Sequence, residues 1–219
     1  MSNSQDISAQ SWRTQLSRGC ESLPIELADA QISALEAYLE LFIKWNKAYN
    51  LSAIRDPEEM VTKHLLDSLS IAHLLEGERF IDVGTGGGLP GIPLAITYPD
   101  KHFTLLDSAG KKTRFLFQVK QALGLDNVEI ENRRVEAFKP ELLFEGVISR
   151  AFASLKDMID NCQHLIKENG KFWAMKGVFP DHELSELEKH YMVDASHALQ
   201  VPGLEEQRCL IVLSRKNIQ

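Results

Sequence analysis

Between Phe80 and Asp107 the chain runs apolar segment, glycine cluster, helix-like segment, apolar segment, carboxylate, and few folds accommodate that order. Phe80-Ile81-Asp82-Val83 meets Gly84-Thr85-Gly86-Gly87-Gly88-Leu89-Pro90-Gly91 directly. A helical pattern follows over residues 89–98, and Phe103-Thr104-Leu105-Leu106 then closes on Asp107. Short apolar runs linked through glycines and a helix are parallel strands of one sheet, with a nucleotide-type site at their carboxyl ends. Glycine permits the close backbone approach and the φ values that such a turn requires. The position of Asp107 lets it accept hydrogen bonds from both ribose hydroxyls of an adenosine group.

Two registers of the glycines are open. Asp82, Gly84, Gly86 and Gly88 fit D-x-G-x-G-x-G, the pattern of S-adenosylmethionine-dependent methyltransferases of the Rossmann-like class. Gly86, Gly88 and Gly91 fit G-x-G-x-x-G, the dinucleotide fingerprint. The strand is expected to end at Val83, which makes Gly84 the first glycine of the turn and favours the first register. An acid at the strand end, Asp82, also suits a cofactor with a cationic amino acid group better than a pyrophosphate.

The rest of the chain supports an α/β reading. Further strands are expected at 128–132, 146–149 and 171–175, with helices at 111–123, 154–167 and 183–190. A hairpin-like pair, 191–201 and 208–215, flanks Pro202-Gly203 and places one antiparallel strand in an otherwise parallel, seven-stranded sheet. Before the sheet the chain is helical. Ile32, Leu35, Leu39, Phe42, Trp45 and Tyr49 form one apolar face, with Asp29 as expected N-cap and Asn50 as the end. Asp56-Pro57 starts a further helix that carries Val61, His64, Leu65, Leu69 and Ile71 and stops near Gly77. Residues 1–77 therefore read as a helical extension and 78–219 as the core.

Several function classes are disfavoured. No apolar run approaches the ~20 residues of a membrane helix, and residues 1–20 lack a signal-peptide core. Cys20, Cys162 and Cys209 form no C-x-x-C pair, which together point to a reducing cytoplasm. The 7 histidines make no metal-binding spacing, so no metal is expected. Neither a G-x-S-x-G elbow nor a phosphate-binding G-x-x-x-x-G-K-[ST] loop is present. Net charge is −7, yet residues 101–134 carry a local excess of basic side chains. Lys111, Lys112, Arg114 and Lys120 read equally as an RNA contact or as the solvated side of a helix.

Motifs in order along nearly the whole chain resemble one family. They are K-W-N-K-A-Y-N-L at 44–51, R-D-P at 55–57, K-H-L-L-D-S at 63–68 and F-I-D-V-G-T-G-G-G-L-P-G-I-P-L at 80–94. F-T-L-L-D-S at 103–108, V-I-S-R-A-F-A-S-L at 147–155 and M-K-G at 175–177 complete the set. The chain is similar to the bacterial small-subunit ribosomal RNA guanine-N7 methyltransferases, also called glucose-inhibited division protein B. Gly87 departs from the proline or serine of many members. The resemblance implies a class I Rossmann-like methyltransferase fold, S-adenosylmethionine as methyl donor, and N7 of a guanine in 16S rRNA, guanine-527, as acceptor. It implies 16S rRNA or the small ribosomal subunit as partner and a cytoplasmic enzyme. A monomer is expected, since no long exposed apolar stripe demands a partner.

Carried over residue by residue, the resemblance implies cofactor contacts at Gly84, Gly86, Leu89, Val135, Glu136 and Arg150, beside Asp107 from its position. Leu89 reads equally as pocket wall or core packing, Glu136 as adenine contact or exposed helix-start acid. The planar fork of Arg150 suits a cofactor carboxylate or an RNA phosphate. Guanine N7 has a free lone pair and no proton to lose, so no general base is required. Arg150 and Lys176 stand as candidates for catalytic positioning. Lys111, Lys112, Arg114, Arg133, Arg134 and Lys176 are the RNA-binding candidates. His64 and Asp67, three apart, read as a His–Asp pair tying extension to sheet, or as residues leaning over the cofactor pocket. Trp173 reads as core. A nicotinamide-dependent oxidoreductase and a non-catalytic ribosome-assembly factor remain the readings from other classes.

Overall fold

The computed structural model describes residues 3–185, 187 and 191–216. Its sheet has seven strands in the order β3-β2-β1-β4-β5-β7-β6. The strands are β1 Arg79–Val83, β2 His102–Leu106, β3 Val128–Glu131, β4 Phe144–Ser149, β5 Ile166–Lys176, β6 Tyr191–Ala198 and β7 Cys209–Arg215. All neighbours pair in parallel up to β5, and β7 runs antiparallel to both β5 and β6. The single antiparallel strand expected from the Pro202-Gly203 hairpin is therefore β7. Strand order reverses between β1 and β4, and the carboxyl ends flanking such a switch form a crevice. Gly84 follows β1 there, and Arg150 follows β4.

Period-two alternation sorts the strand residues to two faces. Phe80, Phe103, Leu105, Val128, Trp173 and Leu210 face one apolar cluster, which also holds Trp12, Leu16, Leu35, Phe42 and Leu65 from the amino-terminal helices. Ile81, Val83, Val147, Phe172 and Ile211 face the other, covered by Leu155, Met158 and Ile159. Trp173 is 2% exposed and meets Phe80 edge-on at 5.7 Å, so it is core. Among the described residues no helix is long and apolar enough to cross a membrane.

The amino-terminal helices are α1 Asn3–Glu21 and α2 Asp29–Tyr49. The first of these was not legible in the Ser- and Gln-rich start of the chain. It is held by Trp12, Leu16 and Cys20, four apart, all buried. Asp29 is not the N-cap of α2. Ala28 holds that position, and its N–H donates to Gln31 Oε1 at 2.8 Å. Asp29 sits in the first turn, where its charge suits the helix dipole. Gln31 also donates to the carbonyls of Ile96 and Thr97, at 2.9 and 2.8 Å, so the helix start is fastened to the core. Asn50 ends α2 in the left-handed conformation, φ 52°.

Asp56 caps α3, Pro57–Met60, accepting from Glu59 N–H at 2.9 Å. The helix then widens into a π-helical segment, Val61–Leu66, before α4, Asp67–Leu69. A π-turn is rare and concentrates at functional sites.

The remaining helices are α5 Gly91–Thr97, α6 Gly110–Leu123, α7 Leu155–Cys162 and α8 Asp181–Ser185. The expected helix over 154–167 is too long. It stops at Cys162, and Ile166 already pairs with Phe144 as the start of β5. The strand expected over 171–175 thus begins earlier, and a register shift between Phe144 and Gly146 lets β5 run through Asn169-Gly170. The helix expected over 183–190 overlaps α8 only at 183–185; α8 starts earlier, Leu187 is not helical, and residues 186 and 188–190 lie outside the described residues.

Candidate active site

The glycine turn leaves β1 under strong constraint. Gly84 and Thr85 N–H both donate to Leu106 O, at 2.9 and 3.2 Å, so the turn is hung from the end of β2. Gly84, Gly86 and Gly88 take φ of 72°, 62° and 94°, whereas Gly91 does not take positive φ. The backbone therefore calls for glycine at each of the three glycine positions of D-x-G-x-G-x-G. A Cβ on Gly84 would stand 2.6 Å from the Ala151 methyl, so only glycine lets β1 and the loop after β4 come together. Ser149 fixes that approach. Its hydroxyl donates to Val83 O at 2.7 Å and accepts from Ala151 N–H at 3.0 Å.

Two carboxylates organise the turn. Asp82 is 1% exposed, and its Oδ2 accepts from the Thr85 hydroxyl at 2.7 Å and Gly91 N–H at 2.9 Å. Burial raises its pKa to about 6 against the lowering effect of those two donors. Asp82 thus acts inside the loop, bracing both of its ends. Asp107 lies on the other side, 8% exposed. Its Oδ2 accepts from Gly86 N–H at 2.9 Å and its Oδ1 from Ala109 N–H at 2.8 Å. Each oxygen retains a second lone pair. The residue thus fastens the glycine turn to the approach to α6, as the capping reading expects. Lys112 Nζ is 3.7 Å from Asp107 Oδ2.

Two hollows meet at Gly84 and Ala151. The smaller, about 350 Å³, is lined by Asp107, Ser108, Lys112, Arg133, Arg134, Val135 and Glu136. The larger, about 580 Å³, is lined by Gly86, Gly87, Leu89, Arg150 and Lys176, and on its outer side by Phe42, Ser52, Lys63, His64, Asp67 and Arg208. The sequence-derived cofactor residues thus fall into two groups: Asp107, Val135 and Glu136 on one side of Gly84, and Gly86, Leu89 and Arg150 on the other. Val135 and Glu136 sit in the 3-10 turn Val135–Ala137. Leu89 is 7% exposed and belongs to the core cluster while also lining the cavity.

The cations divide as well. Lys111 and Arg114 are exposed on α6. Lys112 and Arg134 border the smaller hollow, and Arg133 pairs with Glu131 at 2.9 Å with its guanidinium over the Phe138 ring. Lys120 donates to Val128 O at 2.6 Å, tying α6 to β3. Lys176 is 13% exposed, bonded to Glu183 at 2.9 and 3.1 Å and to Ala153 O at 3.2 Å. Glu183 also accepts from Leu155 N–H at 2.6 Å, so Lys176 holds α7 and α8 at the cavity edge.

His64 and Asp67 both line the cavity but do not bond each other. His64 Nε2 lies 2.9 Å from Ser52 Oγ, and its ring is tilted against Phe42. Burial, then the charge of Arg150, lowers its pKa to about 4, so it is neutral at pH 7. Asp67, 3% exposed, accepts from Arg150 Nη1 at 2.7 Å and from Arg208 Nε at 3.2 Å. The extension is tied to the sheet, as expected, but through two arginines and not through the histidine. Arg208 was missed in the sequence. Its signal lay in the antiparallel strand: Lys176 faces Cys209 across the sheet, so the residue before β7 must emerge at the same edge as the end of β5.

The extension also grips the glycine turn. Tyr38, fully buried, has its pKa raised well above normal by burial and donates its hydroxyl to Gly87 O at 2.6 Å. The Phe42 ring fills the place where a side chain at Gly87 would stand. The unusual glycine thus has a local partner.

Residues 31–212 match the family described as GidB, rRNA small subunit methyltransferase G. The chain is 69% identical over 193 residues to the ribosomal RNA small subunit methyltransferase G of Saccharophagus degradans, covering 88% of this chain and 86% of that one. Among solved structures it resembles a SAM-dependent O-methyltransferase of Thermotoga maritima, with TM-score 0.52, 18% identity, and coverage of 70% of this chain and 66% of that one. It also resembles M. jannaschii TYW2 in complex with AdoMet, with TM-score 0.52, 15% identity and coverage of 68% and 75%. At such identity these two speak to the fold alone, a Rossmann-like methyltransferase fold. The relatives and the match across most of the chain place it more narrowly: the chain belongs to the rRNA small subunit methyltransferase G family.

Proposed function

We propose that this protein transfers a methyl group from S-adenosylmethionine to N7 of a guanine in 16S rRNA, guanine-527 by family resemblance, acting in the cytoplasm as a monomer. Residues 1–77 form the extension and 78–219 the methyltransferase core. The observation that carries the reading is the pair of hollows joined at Gly84, one with a carboxylate at the ribose position, the other open and lined with cations.

The residues present suit an adenosine cofactor. Asp107 keeps a lone pair on each oxygen for two ribose hydroxyls, and the Val135–Glu136 turn offers backbone and carboxylate to an adenine edge. Gly84 and Ala151 line both hollows, so a cofactor spanning the two would pass over their backbone. When bound, the cofactor supplies an electrophilic methyl on a sulfonium.

The protein's own part is positioning and electrostatics. Guanine N7 needs no deprotonation, so neutral His64 need not act as a base. The purine becomes positively charged as its N7 is alkylated, which bare guanidiniums in the cavity would oppose. Asp67 offsets Arg150 and Arg208, and Glu183 offsets Lys176. The outward cations Lys111, Arg114 and Arg134 remain for RNA phosphates.

A titration comparing S-adenosylhomocysteine with NADH tests the cofactor, and transfer of labelled methyl to 16S rRNA or small subunits, followed by mapping of the modified base, tests the acceptor. Binding of S-adenosylhomocysteine alone and a single labelled guanine are expected. Binding of NADH, or label on another base, overturns the reading.

A further inference from the structure

Trp45 and Tyr49 stack on each other at the end of α2, with ring centroids 4.9 Å apart and planes at 28°. Tyr49 is 42% exposed. The other two tryptophans, Trp12 and Trp173, are buried, and Trp45 is half-buried. The inner side of Trp45 rests on Phe115 of α6 at 5.6 Å, so the ring is backed by the core and its tilt is held. Tyr49 adds little to that core, and its hydroxyl has no partner among the described residues. Tyr49 thus packs on Trp45 and leaves much of its surface open to solvent.

Position ties that surface to the cavity. Phe42, three residues before Trp45, already lines the methyl-transfer cavity. At about 1.5 Å of rise per residue, the stacked pair begins about 5 Å further along the helix. The chain after α2 is locked in place. Asn46 accepts from Ser52 N–H and donates to Ile54 O, both at 2.8 Å, and Arg55 donates to Asn46 O at 2.6 Å. Ser52 and Ile54 are themselves cavity wall. The platform and the cavity rim are therefore one rigid piece.

Charge identifies the occupant. Lys111 lies one turn before Phe115 on α6, hence on the side facing α2. Arg114 follows it one turn on. Both are exposed and neither makes an ion pair among the described residues. An aromatic face bordered by free cations suits a base with its phosphate, because every base presents a π-face and every nucleotide a negative charge. A base can be offered in this way only when it is unstacked from its own strand, as in a loop.

We propose that the Trp45–Tyr49 pair is a stacking platform for one unpaired base of the RNA beside the target guanine, with Lys111 and Arg114 holding its phosphate. This rests on the methyltransferase reading above. It implies that the enzyme engages a looped segment, and that a base near the target is held outside the cavity while the target enters it.

Trp45 is the one tryptophan of the three that is not buried, so its fluorescence reports the contact. The intact protein is titrated with 16S rRNA transcribed in vitro, and methyl transfer to that RNA is measured for Tyr49→Ala and Tyr49→Phe. RNA is expected to quench the emission, and Trp45→Phe to remove most of the quenching. Tyr49→Ala should lower kcat/KM for RNA about tenfold or more, with melting temperature and S-adenosylhomocysteine affinity unchanged. Tyr49→Phe should restore the rate. Unquenched emission on RNA binding, or wild-type kcat/KM in Tyr49→Ala while the cofactor product binds normally, overturns the platform alone. Failure of the unmutated protein to bind S-adenosylhomocysteine overturns the methyltransferase reading and the platform with it.

Discussion

Asp67→Asn tests whether one buried carboxylate holds the two arginines of the cavity. The change keeps shape and an acceptor oxygen but removes the charge. Two charge-assisted bonds are affected, Arg150 at 2.7 Å and Arg208 at 3.2 Å. The aspartate side chain is 4% exposed, the arginine side chains 25% and 24%. Hydrogen bonds to charged groups are worth about 1.5–3 kcal/mol each, but water can reach the arginines once they are released, so a total loss of about 2–3 kcal/mol is expected. In a chain of this length each kcal/mol moves the melting temperature by about 2–4 °C, which gives a fall of about 4–12 °C by calorimetry. A double-mutant cycle with Arg208→Met should return a coupling of about 1–3 kcal/mol. Methyl transfer should fall further than cofactor affinity, because both arginines lose their set orientation. A melting temperature within about 1 °C of wild type, with a cycle additive to about 0.5 kcal/mol, would refute the reasoning.

Gly84→Val should abolish S-adenosylhomocysteine binding in calorimetry, since φ is 72° and a Cβ meets Ala151 at 2.6 Å; retained binding would show that the turn tolerates a side chain. Asp107→Ala should weaken the same binding by about 1.5–3 kcal/mol, and an unchanged affinity removes Asp107 from the ribose. His64, with its pKa lowered from 6.5 to about 4, contributes stability that is full above 6.5 and is lost as pH falls toward 4. Asp82, raised from 3.8 to about 6, contributes stability that is full below 3.8 and lost as pH rises through 6, but it is common to both proteins compared. Urea unfolding at pH 7 and pH 5 should therefore show wild type losing about 2 kcal/mol more than His64→Gln on acidification; equal losses would contradict a buried neutral imidazole. Gly87→Ala should cost about 1–3 kcal/mol by crowding Phe42, and Phe42→Leu in the same chain should recover part of it; a neutral Gly87→Ala would mean that the ring yields freely.

The sheet and its ligand-binding edge were legible because their signals are local. Alternating apolar runs, the glycine turn and Asp107 lie within short stretches, and each element's type follows from its own periodicity. Arg208 escaped because its place depends on a pairing 33 residues distant, Cys209 against Lys176. His64 and Asp67 do line one cavity, but their partners, Ser52 for the histidine and Arg150 with Arg208 for the carboxylate, come from other elements, and no spacing within the helix announces them. Helix α1 was hidden by polar composition, since three buried residues four apart are enough to seat a helix once a neighbour covers them. The strand expected over 171–175 starts already at Ile166, inside the expected helix, through an irregular pairing with β4 that only the partner strand reveals.

Asp67 and Arg208 meet at the larger hollow, and that bears on how the enzyme is built. The core alone provides the smaller hollow, from β1, β2 and the turn after β3. The larger hollow has no outer wall until Phe42, Ser52, His64 and Asp67 arrive from residues 1–77. That wall is joined to the core by bonds aimed at catalytic-edge groups: Tyr38 to Gly87 O, and Asp67 to Arg150 and Arg208. The apolar cluster beneath runs without interruption from Trp12 to Val212. On the proposed reading, the core alone builds the cofactor hollow, and residues 1–77 complete the hollow that takes the acceptor base. Residues that discriminate one RNA from another should therefore be sought in the extension and in β7, where the shape of the cavity is decided, and not in the glycine turn.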